Sequence, residues 1–321
     1  MPLIALQDAT ATSVGVAIVS YNTVDLLRDC LQSLDRSGLA VAVVVVDNGS
    51  TDDSVAMIET AFPTVCVIVP GANLGFARGT NLAMQRLLAE APGLQHILML
   101  NPDTVVHAGA LESLVAFAEA HPRVGVVSPR LVNVDGSLQR GVFRFPTPLM
   151  TLFDLFPPGE VTPGRFYDSW WHGRYPQEAA GDAPFAVDHP LGAAMLTRVA
   201  VLAEVGMLDE EYFMYVEEVD WCMRVRTAGW AIWQQPAAVV THVGGASSRQ
   251  FRAAMTLALW RSRVRYWQRW CSPRALWWHR TFLHWGIWRM RWVAARAHRR
   301  GLLSTDQYHE LLAVYRTVQF L

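Results

Sequence analysis

Val41–Val46, read Val-Ala-Val-Val-Val-Val, is a strand-length run with no polar face. A strand with one wet face alternates polar and apolar residues; one covered on both faces does not. This run therefore commits the chain to a sheet with helices on both sides. Val14–Ser20 and Ile97–Leu100 repeat the pattern, and Val65–Val69 is a further strand. Helical spacing fills the gaps. Over Asp25–Leu34 it puts Leu26, Leu27, Cys30, Leu31 and Leu34 on one face, and helices are also expected over Ser54–Phe62, Gly79–Leu88 and about Ala108–Ala120, before a strand at Val124–Val127. Strands alternating with helices of this length predict a parallel α/β sheet.

The strands end on chemistry. Ile97–Leu100 stops at Asn101-Pro102-Asp103, because proline cannot donate to a sheet ladder. Asp103 is thereby held at the carboxyl end of a buried strand, where open α/β sheets bind ligands. Mg²⁺ is commonly held there by one or two carboxylates and substrate phosphates; the same tripeptide also suits a plain turn. The valine strand runs into Asp47-Asn48-Gly49-Ser50-Thr51-Asp52. Asp47 can accept hydrogen bonds from a base or ribose. Asn-Gly also marks hairpins, but a helix cap at Thr51 or Asp52 follows here. Asn73-Leu74-Gly75 reads as a turn, and Arg78 beyond it suits a phosphate or a solvated surface. Glu217, Glu218 and Asp220 crowd three acids into four positions. They suit the first turn of a helix, with Asp220 four residues before Arg224, or a general base at the helix mouth whose aromatic neighbours raise its pKa. His242 precedes two glycines at a strand end, a position for a structural histidine, a metal ligand or a phosphate donor.

Phe143–Pro190 breaks the rhythm; it is rich in Pro, Gly, Trp and Tyr and reads as an excursion over the active face. Buried chain resumes at Gly192–Leu196, with a short helix at Thr197–Val205, a helix within Glu211–Gly229, and late strands at Ala231–Gln235 and Ala238–Thr241 around Pro236.

Five stretches together resemble family 2 glycosyltransferases of the GT-A fold: Ile18–Asn22, Val46–Asp52, Asn73–Asn81, Leu100–Asp103 and Phe213–Arg224, in the family's order over about 15–245. The nearest resemblance is to bacterial rhamnosyltransferase-like members that build cell-surface polysaccharides. It implies a nucleotide-diphospho-sugar transferase fold, a mostly parallel sheet flanked by helices. It implies a donor site of Ser20, Tyr21, Asn22, Asp47, Asn48, Asn73, Gly75, Arg78, Asn101 and Asp103, with Asp47 on the base or ribose. Asn101-Pro-Asp103 stands where the family often has Asp-x-Asp, so Mg²⁺ or Mn²⁺ would rest on Asp103, helped by His242. Glu218 falls at the family's catalytic Asp in a motif usually written Glu-Asp-x-Asp; here it is Glu-Glu-x-Asp, which keeps Glu217 open as the base and puts Asp220 in the catalytic group. The donor would be a nucleoside-diphosphate sugar, with dTDP-rhamnose suggested. The acceptor would be a glycan or polyprenyl-linked hydroxyl.

A dinucleotide-binding oxidoreductase would need G-x-G-x-x-G after the first strand, and Ser20-Tyr21-Asn22 stands there instead. The other rival is a non-catalytic membrane- or nucleic-acid-binding adaptor, suggested by charge. The 27 basic residues are all Arg. Residues 1–248 carry 13 Arg against 26 acids, and 249–321 carry 14 Arg against 2, a split that points to an anionic partner. Buried strand-end acids would be idle in an adaptor, and nucleic acid is not expected as a partner. We divide the chain into a GT-A domain, 1–248, and a basic, Trp-rich helical appendage, 249–321. The four Cys have no metal or redox spacing and read as reduced cytosolic thiols. Met1–Ser13 lacks a signal-peptide pattern and no apolar run of spanning length is evident. The expected location is the cytoplasm, at the inner face of the cytoplasmic membrane.

The tail allows two arrangements. At about 100° per residue, Trp277, Trp278, Phe282, Trp285, Trp288 and Trp292 share one side of a helix; Arg280, His284 and Arg291 share the other with Leu276 and Ile287, and Arg289 falls among the aromatics. The aromatic side either packs on the catalytic domain as a cap or lies at a lipid interface.

Overall fold

A computed structural model of the chain describes residues 3–6, 8, 14–161, 163–244 and 252–321. The boundary expected at 248, Gly245, and most of the N-terminal segment read for a signal peptide lie outside these residues. Two compact units divide the rest. The first comprises 1–143, 177–213 and 217–247; the second comprises 144–176, 214–216 and 248–321.

The first unit is the α/β layer. Its elements are β1 (Val14–Ser20), α1 (Val24–Asp35), β2 (Val41–Asp47), α2 (Ser54–Ala61), β3 (Cys66–Ile68), α3 (Phe76–Glu90), β4 (His96–Leu100), β5 (Thr104–Val106), α4 (Ala110–Ala120), β6 (Val124–Val132) and β7 (Leu138–Gln139). After the segment described below it continues with β8 (Ala194–Arg198), α6 (Val199–Val205), α7 (Glu217–Thr227) and β9 (Ala231–His242). The main sheet runs β2-β1-β4-β8-β6-β9, extended beside β2 by Leu3–Ile4 and beside β9 by Phe185–Ala186. β1 pairs in parallel with β2 and β4, and β6 with β9. As the all-apolar runs required, β1 and β2 are buried along their whole length. Leu27, Cys30, Leu31 and Leu34 of α1 are inaccessible; burying each leucine contributes about 1.5–3 kcal/mol.

Three features depart from the sequence expectation. β8 is antiparallel to both β4 and β6, so the sheet is mixed; apolar burial is the same for either direction. The chain beyond Asp103 forms β5, paired antiparallel with β9, before α4 begins, with Gly109 in a left-handed conformation ahead of it. The two late strands are one, β9, whose register with β6 shifts between Gln235 and Val239; Pro236, which cannot donate, sits in that irregularity.

The second unit is helical: α5 (Pro148–Leu155), α8 (Arg252–Trp270), α9 (Pro273–Arg299) and α10 (Thr305–Gln319). α5 and the chain up to 176 belong here, although the sequence reads them as part of a loop excursion. Ser272 and Ser304 cap α9 and α10, the latter in a reciprocal capping box with Gln307. α9 buries His279, Leu283, Gly286, Ile287 and Ala294. At Gly286 a Cβ would stand 2.4 Å from Leu155 Cδ2, so only glycine lets α9 approach α5 this closely. His279 stacks on Trp267 with centroids 4.4 Å apart and bonds Thr151 Oγ1 through Nδ1 at 2.9 Å. The tryptophan side of α9 points outward. Trp277, Trp278, Trp285, Trp288 and Trp292 are 44–73 % exposed. No helix among the described residues is long and apolar enough to cross a membrane.

Candidate active site

Ser20 and Asp47 are register partners at the carboxyl ends of β1 and β2. Asn48 N–H continues the ladder to Ser20 O at 2.8 Å, and Ser20 Oγ lies 2.9 Å from Thr23 Oγ1. Asn22, with φ 51°, caps this corner: its N–H donates to Ser50 Oγ and its Oδ1 accepts from Thr51 N–H. Tyr21 is half-buried between them. Asp47 is buried; Oδ2 accepts from Ser50 N–H at 2.9 Å, while Oδ1 has no partner among the described residues. A buried acceptor left bare costs free energy unless something donates to it, so Oδ1 is ready for a ligand N–H or O–H.

Asn48 ties this loop to the next, donating to Gly75 O at 3.0 Å and accepting from Leu74 N–H. Asn73 Oδ1 accepts from Gly75 N–H in an Asx turn. Gly75 has φ 80°, and a Cβ there would stand 2.3 Å from Phe213 O, so glycine is required on both counts. Arg78 forms an exposed pair with Glu210 at 3.1 Å, and Glu210 also accepts from Asn81. Arg78 thus has a carboxylate partner at the surface.

Asp103 and His242 come together through the pairing of Thr104 with His242. Asp103 Oδ2 accepts from Gly244 N–H at 3.1 Å, its carbonyl accepts from Val243 N–H, and Oδ1 lies 3.4 Å from His242 Nε2. Gln139, a residue the sequence did not single out, orients that ring. Its Nε2 donates to Asn133 Oδ1 at 2.9 Å and to His242 O at 3.1 Å, which turns Oε1 toward His242 Nδ1 at 2.7 Å. An amide oxygen only accepts, so Nδ1 carries a proton, and Nε2 beside Asp103 offers its lone pair to a cation in the neutral ring. Two electron-pair donors separated by about the spacing of adjacent ligands on a small divalent cation, roughly 3 Å, fit such an ion. Among the described residues no group of three or more His, Cys, Asp or Glu could hold a metal, so substrate oxygens or water would complete its shell.

The third component is the start of α7. Tyr215 and Val216, both at φ near 70°, turn the chain sharply into Glu217. For a β-branched residue that conformation is strained, and such strain concentrates at functional sites. Glu217 is buried, with Oε2 unpartnered among the described residues. Burial pushes its carboxyl well above the usual carboxylate range, and the neighbouring Glu218 pushes it further. Glu218 lies against Gly192, whose added Cβ would be 3.7 Å from Glu218 Cβ and Cγ. The next residue, Ala193, accepts from Asn101 N–H at 2.9 Å. One dipeptide therefore links the acid pair of α7 to the Asn101–Asp103 turn. Asp220 is different. Its Oδ1 accepts from Tyr212 Oη and its Oδ2 from Arg224 Nε, while Arg224 also donates to Val205 O and Met207 O. Both Asp220 oxygens are occupied inside the fold. All four cysteines are free thiols; burial pushes Cys30, beneath the Asn101 turn, up to about 12.

Residues 15–201 match the family model described as glycosyl transferase family 2. The chain is 30% identical over 236 residues to N-acetylglucosaminyl-diphospho-decaprenol L-rhamnosyltransferase of Mycobacterium tuberculosis, covering 71% of this chain and 75% of that one. It is 27% identical to the low-salt glycan biosynthesis hexosyltransferase Agl10 of Haloferax volcanii, over 69% of this chain and 64% of the relative. Among solved structures it resembles a mannosyltransferase of Pyrobaculum calidifontis in complex with GDP-Man and Mn²⁺, with TM-score 0.53 and 17% identity over 98% of this chain and 88% of that one; this likeness concerns the GT-A fold. With that fold, and a family match spanning β1 to α6, the chain belongs to glycosyl transferase family 2 and is a glycosyltransferase.

Proposed function

We propose that this glycosyltransferase inverts the sugar it transfers, taking it from a nucleoside-diphosphate sugar and delivering it to a hydroxyl of a glycan or polyprenyl-linked acceptor in cell-surface polysaccharide synthesis. One observation carries the reading: Gly192-Ala193 ties Glu218 and the Asn101–Asp103 turn to one sheet end. Transfer needs two such centres, one for the leaving diphosphate and one for the acceptor proton.

On the donor side, the bare Oδ1 of Asp47 suits the N–H of a pyrimidine base or a ribose hydroxyl. Asp103 and His242 would hold Mg²⁺ or Mn²⁺; the Mn²⁺ bound in the solved mannosyltransferase supports that choice. When bound, the cation supplies positive charge beside the departing diphosphate. On the acceptor side, Glu218 takes the proton from the attacking hydroxyl. That oxygen bonds the anomeric carbon as the nucleoside diphosphate leaves from the opposite face, so one displacement inverts the configuration. A Glu217 that keeps its proton leaves Glu218 as the accepting carboxylate of the pair.

The diphospho-decaprenol in the name of the mycobacterial relative supports a lipid-linked acceptor, and its rhamnosyl transfer makes dTDP-rhamnose the first donor to try. We place the enzyme in the cytoplasm at the inner membrane face. The test is a panel of nucleotide sugars with Mg²⁺ or Mn²⁺ and a polyprenyl-diphosphate-linked N-acetylglucosamine. Nucleoside diphosphate release and the anomeric configuration of the product are measured. Acceptor-dependent release with inversion is expected. Retention of configuration, or no acceptor-dependent release with any donor, overturns the reading.

A further inference from the structure

α9 presents two unlike faces. One carries Leu283, Gly286, Ile287 and Ala294 and is buried. Arg289 turns the same way, donating to Leu155 O at 3.0 Å and pairing with Glu160. The other is a ridge of Trp277, Trp278, Trp285, Trp288 and Trp292, with Trp288 73 % exposed. Five exposed tryptophans along one helix are a contiguous apolar surface, which marks an interaction site rather than ordinary solvent-facing surface.

The surroundings of the ridge identify the partner. At about 100° per residue, the exposed Arg274 falls at the start of the ridge, and the exposed Arg296 and Arg299 at its end. Arg280 and Arg291 run along one edge. Arg296 already stacks over Trp292, 5.4 Å from the ring centroid. No Asp or Glu occurs between Arg252 and Thr305, so the ridge has no acid of its own helix or of α8 to neutralise it. Indole rings favour the headgroup zone, where the ring is sheltered and the N–H stays wet. Arginine lets its stem lie on apolar surface while its guanidinium reaches phosphate. A protein partner would need both a long aromatic-binding groove and many acids; an anionic bilayer offers both everywhere.

We propose that the Trp277–Trp292 ridge of α9 is a lipid-docking surface that lies in the plane of an anionic membrane, tryptophans in the headgroup layer and flanking arginines on lipid phosphates. This builds on the proposed lipid-linked acceptor, since an enzyme held at the bilayer meets such an acceptor where its chain is embedded.

The test uses the full chain with phosphatidylcholine vesicles, with and without about 30% phosphatidylglycerol, at about 50 and about 500 mM salt. Binding is read by co-sedimentation and by quenching of tryptophan fluorescence with brominated lipids. We expect at least tenfold tighter binding to anionic than to neutral vesicles at low salt, weakening at high salt. Trp285→Ser, Trp288→Ser and Trp292→Ser combined should lose at least tenfold in vesicle binding with an unchanged circular dichroism spectrum. Arg274→Gln, Arg296→Gln and Arg299→Gln combined should lose the anionic preference. The tryptophan variant should transfer normally to a soluble short-chain acceptor and poorly to a vesicle-embedded one. No vesicle binding by the full chain, or equal binding by the tryptophan variant, overturns the proposal. So does a dimer that the tryptophan changes dissociate without altering vesicle binding, since a second copy would then cover the ridge. If no acceptor of either kind is used, the proposed acceptor class fails while the vesicle result still decides the docking surface.

Discussion

The strand-end side of the site and its helix-mouth side bury carboxyl groups to similar depth and treat them in opposite ways. Asp103 accepts a backbone N–H from Gly244 and faces a histidine nitrogen; Glu217 has an oxygen with no donor at all among the described residues. Backbone donors come free at a strand end, where the ladder stops and N–H groups point outward. At the helix mouth the first turn of α7 follows a strained left-handed corner, and Glu217 there is buried. The first environment suits a fixed negative charge that holds a cation; the second suits a carboxyl that keeps its proton beside a carboxylate that accepts one. If the comparison is right, each side can be broken without breaking the other.

The largest effect is expected at Asp103. Asp103→Asn keeps the shape and the Gly244 bond but removes the charge, and transfer should fall below detection with the fold intact by circular dichroism. Wild-type turnover with unchanged metal dependence would remove Asp103 from the metal site. Next comes Glu218→Gln, which should lower kcat by roughly 10²–10⁴ with little change in donor affinity. If Glu217→Gln does this and Glu218→Gln does not, the base is one residue earlier and the assignment of the pair is reversed.

A smaller effect sharpens the strand-end side. Gln139→Leu removes the acceptor that fixes the proton on His242 Nδ1. Loss of such an outer partner typically weakens metal binding by about 10–100-fold, readable as Mn²⁺ affinity by electron paramagnetic resonance. Unchanged affinity in this variant, alongside lost affinity in His242→Ala, would mean the ring needs no such support. The smallest effect lies in the helical unit. Burial, with help from Arg263, holds His279 down to about 4, below its ordinary value of about 6.5. Its neutral form therefore stabilises the fold fully above about pH 6.5, and that contribution disappears as pH falls through about 4, up to about 3 kcal/mol. The melting temperature should drop over this window and drop less in His279→Phe; equal slopes would show that His279 does not set the acid sensitivity.

Much of the sheet was legible because burial writes itself into composition. The valine run of β2 and the proline stop after β4 each located a strand and its chemical end. Strand direction left no such trace: β8 is as apolar as the parallel strands of the same sheet. Partnership between distant residues was equally silent. Gln139 sits in an ordinary polar hairpin, and only the pairing of β9 with β6, the strand that β7 borders, brings His242 within its reach. The i,i+4 spacing of Asp220 and Arg224 did indicate an ion pair. On α9 the periodicity separated the aromatic side correctly but could not say which side faces inward; Gly286, small enough for close approach, was the available clue.

The central claim, that donor binding and proton removal reside in separate carboxylate centres, is tested most directly by calorimetric titration of the nucleotide sugar with Mn²⁺ into the wild-type chain, Asp103→Asn and Glu218→Gln. The account predicts that Glu218→Gln binds donor as the wild type does while transferring none at a comparable rate, and that Asp103→Asn loses the Mn²⁺-dependent binding. Equal loss of donor binding in both variants would contradict it.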